Sequence, residues 1–315
     1  MAREPLYVCM TMDVERIGAC SPTGGPPDWA FGARSVSGFC DVLEAFKLPA
    51  TLFVVPDAAV EQGALLRKIA EETESELGLH LHPQCWKDHY LDVEVHDYLG
   101  GYTADEQHAM LAEVLDQVGD SLGDIPRAFR GGNFSANDDT FRVLCELGFT
   151  HGSVSQPGRS VPRFKACWKG AHLDVHFAHR AFRQVPGDLD FVEVPLTSDQ
   201  SVGDHWTGVG DVRIESATAE EIAKATRQEV GRQVGDGKLI KHVCFLTHNM
   251  VNFWSDDTNT KGRKGVLTDA LSLIEEIADD LGLEMKGATL QTVREAFIQK
   301  ASDTGLQPSV SGTAG

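Results

Sequence analysis

The sequence predicts an α/β fold built on a mostly parallel sheet, either open or closed into a barrel. Short apolar runs alternate with amphipathic helical stretches from end to end, the pattern of repeated βα units. No linker rich in Gly, Ser or Pro interrupts residues 1–298. A content of 42% hydrophobic and 24% charged residues over 315 residues suits a large globular domain and is too apolar for a disordered chain. Residues 1–300 therefore read as one domain, and the small, polar segment 301–315 as a disordered tail.

The elements follow in order. Leu6–Met12 (LYVCMTM) is a short apolar strand that ends in acidic residues. Gly38–Phe46 has helical spacing, and Ala50–Val55 (ATLFVV) is a β-rich run stopped by Pro56. Ala58–Glu74 is a helix with Val60, Leu65, Leu66, Ile69 and Ala70 on one side, and Leu77–His82 is the next strand, stopped by Pro83. Thr103 with Glu106 forms a capping-box signature ahead of Met110, Leu111, Val114, Leu115 and Val118. Arg127–Phe134 reads as a strand after Pro126, and Asp138–Leu147 as a helix. Residues 155–190 fit no βα unit and read as an inserted hairpin or loop excursion. Phe191–Leu196 is a strand, Thr218 with Glu221 starts a helix to about Val234, and Val243–Thr247 is a strand. Val266 to Leu281 is the strongest helix, and a last strand and helix lie near Glu284–Ile298.

Charge and cysteine usage narrow the partners. With 28 Lys+Arg against 47 Asp+Glu the formal net charge is −19, which repels nucleic acid and anionic membranes. Seven cysteines, an odd number without a CxxC pair, suggest free thiols in a reducing compartment. The N-terminal MAREPLYVCMTMDVE has no uninterrupted apolar core of a signal peptide, and no stretch reaches the ~18 apolar residues of a membrane span, so a cytoplasmic location is expected. The sequence sets no oligomeric state.

In parallel α/β folds, ligands bind at the carboxyl ends of the strands. Four strands end in groups that ligate metals, move protons or bind anions: Asp13 and Glu15, His80 and His82, Arg130 and Asn133, and His248 and Asn249. Residues two apart on a strand share a face, so His80 and His82 have the placement to reach one cation. By the same geometry Asp13 and Glu15 can divide ligation from proton transfer. Arg130 suits a bidentate hold on a carboxylate, and Gly131–Gly132 allow close backbone approach. A competing cluster, His172, Asp174 and His176 with His179 behind it, alternates at spacing two and reads as a second metal site or a substrate-facing loop.

Taken in order, TMDVE at 11–15, PATLFVV at 49–55, ESELGLHLHP at 74–83, FRGGNF at 129–134 and FLTHN at 245–249 resemble the polysaccharide deacetylase (NodB-homology) family, carbohydrate esterase family 4. The resemblance implies a distorted (β/α) barrel of about seven parallel strands that hydrolyses an N-acetyl or similar N-acyl group from an amino sugar or glycan precursor. It implies a divalent cation, foremost Zn2+, in the barrel mouth. It makes Asp13 the general base, Arg130 its orienting residue and His248 the general acid, and it draws the metal ligands from Asp13, Glu15, His80 and His82. Backbone amides near Asn133 and Phe134 would meet the oxyanion, and Asn249, Trp86 and Trp254 the sugar, with Phe253 beside them.

The departures are specific. Val14 stands where the family has a second aspartate, so Glu15 or Asp13 itself must supply the carboxylate ligand. Gln84 stands where the second histidine of the common motif lies, leaving His82 to take its place as in relatives that read HLHP. The usual Asp-Trp motif is absent from HGSVSQPG. Two other readings remain from the sequence: hydrolysis of a non-sugar linear or cyclic amide, with no metal required, and a non-catalytic sugar-binding barrel.

Overall fold

A computed structural model describes residues 3–21, 23–85, 97–203 and 208–308. The strands are β1 (Glu4–Val14), β2 (Ala50–Val54), β3 (Glu76–Leu81), β4 (Ala128–Gly131), β5 (His151–Gly152), β6 (Ser160–Val161), β7 (Ala166–Cys167), β8 (His176–Phe177), β9 (Val192–Glu193), β10 (Lys241–His248) and β11 (Leu283–Gly287). The helices are α1 (Trp29–Glu44), α2 (Pro56–Thr73), α3 (Ala104–Leu122), α4 (Thr140–Glu146), α5 (Ala219–Gly235), α6 (Lys264–Asp280) and α7 (Leu290–Asp303).

The main sheet runs β10-β1-β2-β3-β4-β5-β9-β8, with β11 also paired to β1. Every pairing along it is parallel except that of β8 with β9, so seven parallel strands lie consecutively, the number the family resemblance implies. The sheet curls into a half-barrel with helices outside. Its two ends meet without a full ladder. Thr197, just past β9, donates its N–H to the Cys244 carbonyl at 2.9 Å, and Ile214 donates to the Leu246 carbonyl at 3.1 Å.

Local chemistry explains the elements. β1 is buried almost throughout because it has neighbours on both sides and helices over it, the signature of a central parallel strand. Both capping boxes form as the spacing predicts: Thr103 with Glu106 opens α3, and Thr218 with Glu221 opens α5. The irregular segment 155–190 holds the antiparallel β6–β7 hairpin and β8, an excursion from the βα pattern. At the C-terminus the expectation of a tail from residue 301 is corrected. α7 continues to Asp303 because Ala301 is buried against the core, so residues 301–303 are helical. All seven cysteines are free, and among the described residues no helix is long and apolar enough to cross a membrane.

Candidate active site

Strand register brings the chemistry together. Asp13 on β1 lies opposite His248 on β10, and His80 on β3 lies opposite Arg130 on β4. These carboxyl ends border a cavity of about 190 Å³ whose walls include Asp13, Glu15, His80, His82, Asn133, Phe134, Arg213, Glu215 and His248.

Arg130 is fully buried beneath this cavity. Its Nη1 donates to Asp13 Oδ1 at 2.9 Å and to Thr11 Oγ1 at 2.8 Å, its Nε donates to the Ser153 carbonyl at 3.1 Å, and its guanidinium lies 4.3 Å from the centre of the Phe53 ring. A charge so buried persists because it is paired and hydrogen-bonded. Burial alone would raise the Asp13 pKa; His80, Arg130 and His248 outweigh it and hold the carboxyl below its ordinary value. Asp13 is thus an aimed, ionised carboxylate.

Glu15, His80 and His82 form a second group. His80 Nε2 stands 3.1 Å from His82 Nε2 and 3.4 Å from Glu15 Oε1, and His82 Nε2 stands 2.9 Å from that same oxygen. Asp13 Oδ2 lies 3.6 Å from His80 Nε2. Four ligands at about 2.1 Å around one tetrahedral ion would be about 3.4 Å apart, so these edges fit a small divalent cation. His80 Nδ1 lies 2.9 Å from the Arg130 carbonyl, which only accepts, so Nδ1 carries a hydrogen and Nε2 is the atom left to meet a cation. Glu15 Oε2, buried, has no hydrogen-bond partner, an orphaned acceptor that a cation would satisfy. Glu15 would be raised by burial, but His82 and His80 hold it well below its ordinary value. Glu15, His80 and His82 are the one metal-competent group of three or more among the described residues.

Across the cavity, His248 Nδ1 lies 2.7 Å from Glu215 Oε1, while its Nε2 lies 3.9 Å from Asp13 Oδ2. Burial would lower the His248 pKa, yet Glu215 and Asp13 raise it above its ordinary value. Burial likewise opposes ionisation of Glu215, but His248 foremost, with Arg213, brings it down to about 2. The pair is an imidazole poised to hold a proton, backed by a carboxylate that keeps it there.

Asn133 and Phe134 border the cavity, on consecutive left-handed backbone positions with φ of 57° and 59°. Such conformations cost about 1 kcal/mol each for non-glycine residues and are held by neighbours. One holding contact is Trp168 Nε1, which donates to the Phe134 carbonyl at 2.8 Å. Gly132 is required beside them, because a Cβ there would lie 2.3 Å from His82 Nδ1.

Other expectations are corrected. Asn249 is fully buried and does not face the cavity: its Nδ2 donates to the Glu15 carbonyl at 2.9 Å, and its Oδ1 accepts the Glu15 N–H at 3.0 Å. It positions Glu15. Trp254 packs edge-on against Phe31 at 5.0 Å and under the Arg34 guanidinium at 4.2 Å, bordering a different cavity with Gly38 and Lys264. Phe253 is fully buried core. Trp86 lies outside the described residues.

The His172–Asp174–His176 cluster is neither a metal group nor part of this cavity. Asp174 is committed to Arg232 at 2.5 Å and Lys238 at 3.0 Å, and His176 Nδ1 donates to the Asp174 carbonyl at 2.7 Å. Burial pushes His176 down to about 4. His172 and His176 border a separate cavity with Phe297 and Leu306, and His179 Nδ1 accepts the Ala181 N–H at 3.0 Å. Sequence reasoning passed over Glu215 and Arg213, which sit in an irregular segment with no periodicity; an acid within hydrogen-bond reach of a late histidine was the signal, and it exists only in three dimensions.

Comparison with known proteins bears on the fold and on part of the chain. Residues 26–152 match the family model described as polysaccharide deacetylase. No curated protein matches the sequence. Among solved structures, a candidate polysaccharide deacetylase from Mycobacterium smegmatis superposes with a TM-score of 0.61 at 18% identity, over 98% of this chain and 94% of that one. A second candidate, from Pseudomonas aeruginosa PAO1, gives 0.57 at 14% identity over 95% and 92%. The Puue allantoinase gives 0.56 at 14% identity over 95% and 91%. At these identities the likeness is one of fold. Residues 26–152, which carry His80, His82 and Arg130, are thus similar to the polysaccharide deacetylase family, and the described chain shares the fold of the solved structures it superposes on.

Proposed function

We propose that this protein is a cation-dependent hydrolase that removes an N-acyl group, an acetyl foremost, from an amino sugar or glycan precursor. The observation that supports this reading best is the meeting of three groups in one cavity: Asp13 held by Arg130, the Glu15–His80–His82 donors, and His248 backed by Glu215.

Glu15, His80 and His82 would hold the cation, with zinc suited to two imidazoles and a carboxylate; Asp13 stands beside them as a further oxygen donor. When bound, it supplies Lewis-acid polarisation and a more acidic water. Asp13, kept ionised by Arg130, takes the proton of the attacking water. Backbone amides of the Asn133–Phe134 turn face the developing oxyanion, a contribution of about 3 kcal/mol per donor when well placed. His248, held protonated by Glu215, gives its proton to the leaving amine. Free cysteines suit a reducing compartment, so a soluble or nucleotide-linked sugar fits better than a polymer outside the cell.

Metal analysis after zinc-supplemented purification, paired with an acetate-release assay on N-acetylated amino sugars, tests the reading. Stoichiometric zinc and acetate release that Asp13→Asn abolishes are the expected results. Turnover of a cyclic amide by metal-free protein would support the non-sugar reading instead, and ligand binding with no turnover of either would support the binding barrel.

A further inference from the structure

Each carboxylate of the cavity is met by a guanidinium or an imidazole. Asp13 is met by Arg130 at 2.9 Å, Glu215 by His248 at 2.7 Å, and Glu15 faces His80 and His82. Arg213 also borders the cavity, but its ion-pair partner Asp211, 3.0 Å from Nε, does not. That contact is an ion pair without hydrogen-bond geometry, for the buried Arg213 Nε has no hydrogen-bond acceptor. The guanidinium carbon lies 6.0 Å from the centre of the Phe134 ring, the same ring that Arg130 and Arg159 approach at 5.8 and 5.6 Å. Phe134 thereby forms an apolar seat that limits how the Arg213 side chain can turn. The side chain is 23% exposed, enough to meet a ligand and too little to be freely solvated.

A planar guanidinium presents paired N–H donors that match a carboxylate in bidentate fashion, and it retains its charge at every working pH. Its ion-pair acid lies outside the cavity wall, and Glu215, which its charge helps to keep ionised, is bonded to His248, so Arg213 brings a guanidinium to the cavity although the chain as a whole carries −19. We infer that Arg213 is a specificity residue that receives a carboxylate on the substrate, so that the preferred substrate is an N-acylated amine bearing a carboxylate near the scissile amide. This rests on the hydrolase reading above and deepens it by naming the substrate class.

The test compares N-acetylglucosamine with its C6-oxidised counterpart, N-acetylglucosaminuronic acid, on the full chain and on the Arg213→Ala and Arg213→Gln variants. Hydrolysis is followed by acetate release, and binding of the deacetylated amino sugars by calorimetry. The expected result is a kcat/KM at least tenfold higher for the carboxylated sugar in the unaltered protein. In both variants that ratio falls to near one, through KM of the charged substrate. Equal kcat/KM for the two sugars in the unaltered protein overturns the inference whatever the variants do, as does an equal loss on both sugars in the variants. Carboxylate-selective binding that Arg213→Gln removes, without hydrolysis of either sugar, upholds the carboxylate site while the hydrolase reading falls. Neither hydrolysis nor selective binding removes both.

Discussion

At the scale of single residues, Gly132 shows how the site depends on what is missing from a side chain. Its hydrogen leaves the space that the His82 imidazole occupies, and a methyl group would sit 2.3 Å from His82 Nδ1. Gly132→Ala should therefore displace His82 and weaken zinc binding about 10–100-fold, the range for disturbing the support of a metal ligand. A chelator-competition titration reads this, and an unchanged affinity would separate His82 from the cation. The His80–His82 pair was legible in the sequence because a spacing of two on a strand fixes a shared face. Asn249 was legible as part of the site yet assigned the wrong task. Its neighbour His248 faces the cavity, and on a strand end adjacent side chains point opposite ways, which turns Asn249 onto the backbone of Glu15. Glu215 and Arg213 carried no sequence signal, since neither lies in a periodic segment.

Secondary-structure elements were most legible where local chemistry alone decides them. The two capping boxes are examples, because four consecutive residues contain the whole interaction. Thr218→Ala should remove the hydroxyl that accepts the Glu221 N–H at the start of α5 and destabilise the protein by about 1 kcal/mol. Urea denaturation should show a lower midpoint with an unchanged slope; an unchanged midpoint would mean that packing of α5 on α6 dominates its stability. The two-residue strands β5 and β8 were not legible. Their positions are set by neighbouring strands, and two residues cannot display a period. Phe191–Leu196 contracts to the two paired residues of β9 for the same reason.

For the molecule as a whole, stability depends on a carboxyl that no proposed step uses. Glu193 is fully buried at the start of the irregular wall, where its carboxylate oxygens accept the N–H groups of Val154 and Ser155 and the Ser155 hydroxyl. Burial pushes it up to about 7 from 4.5, against the pull of those donors. Between these values the unfolded chain is ionised at this position and the folded chain is not, so its contribution to stability falls as pH rises from about 4.5 to 7. Glu193→Gln removes that penalty. Relative to the unaltered protein it should gain about 3 kcal/mol on going from pH 4 to pH 8, read from urea midpoints. A difference that stays flat with pH would mean that Glu193 is ionised in the folded state. The barrel itself was legible only by way of the ordered motifs, because alternation of strands and helices leaves open whether a parallel sheet closes.

How the sheet closes bears on local motion. The two margins of the curled sheet are stitched by Thr197 and Ile214 donating to β10, and a net contribution of about 1 kcal/mol per bond makes that stitch weak beside the ladders of β1. Ile214 is the chain neighbour of both Arg213 and Glu215. The wall that carries them is thus joined to β10 by single backbone bonds, while Asp13, Arg130 and the histidine pair lie on or directly after strands bound by parallel ladders. Such a division should let the Glu215 side give more readily than the Asp13 side, and faster hydrogen exchange at the Ile214 N–H than along β1 would read it.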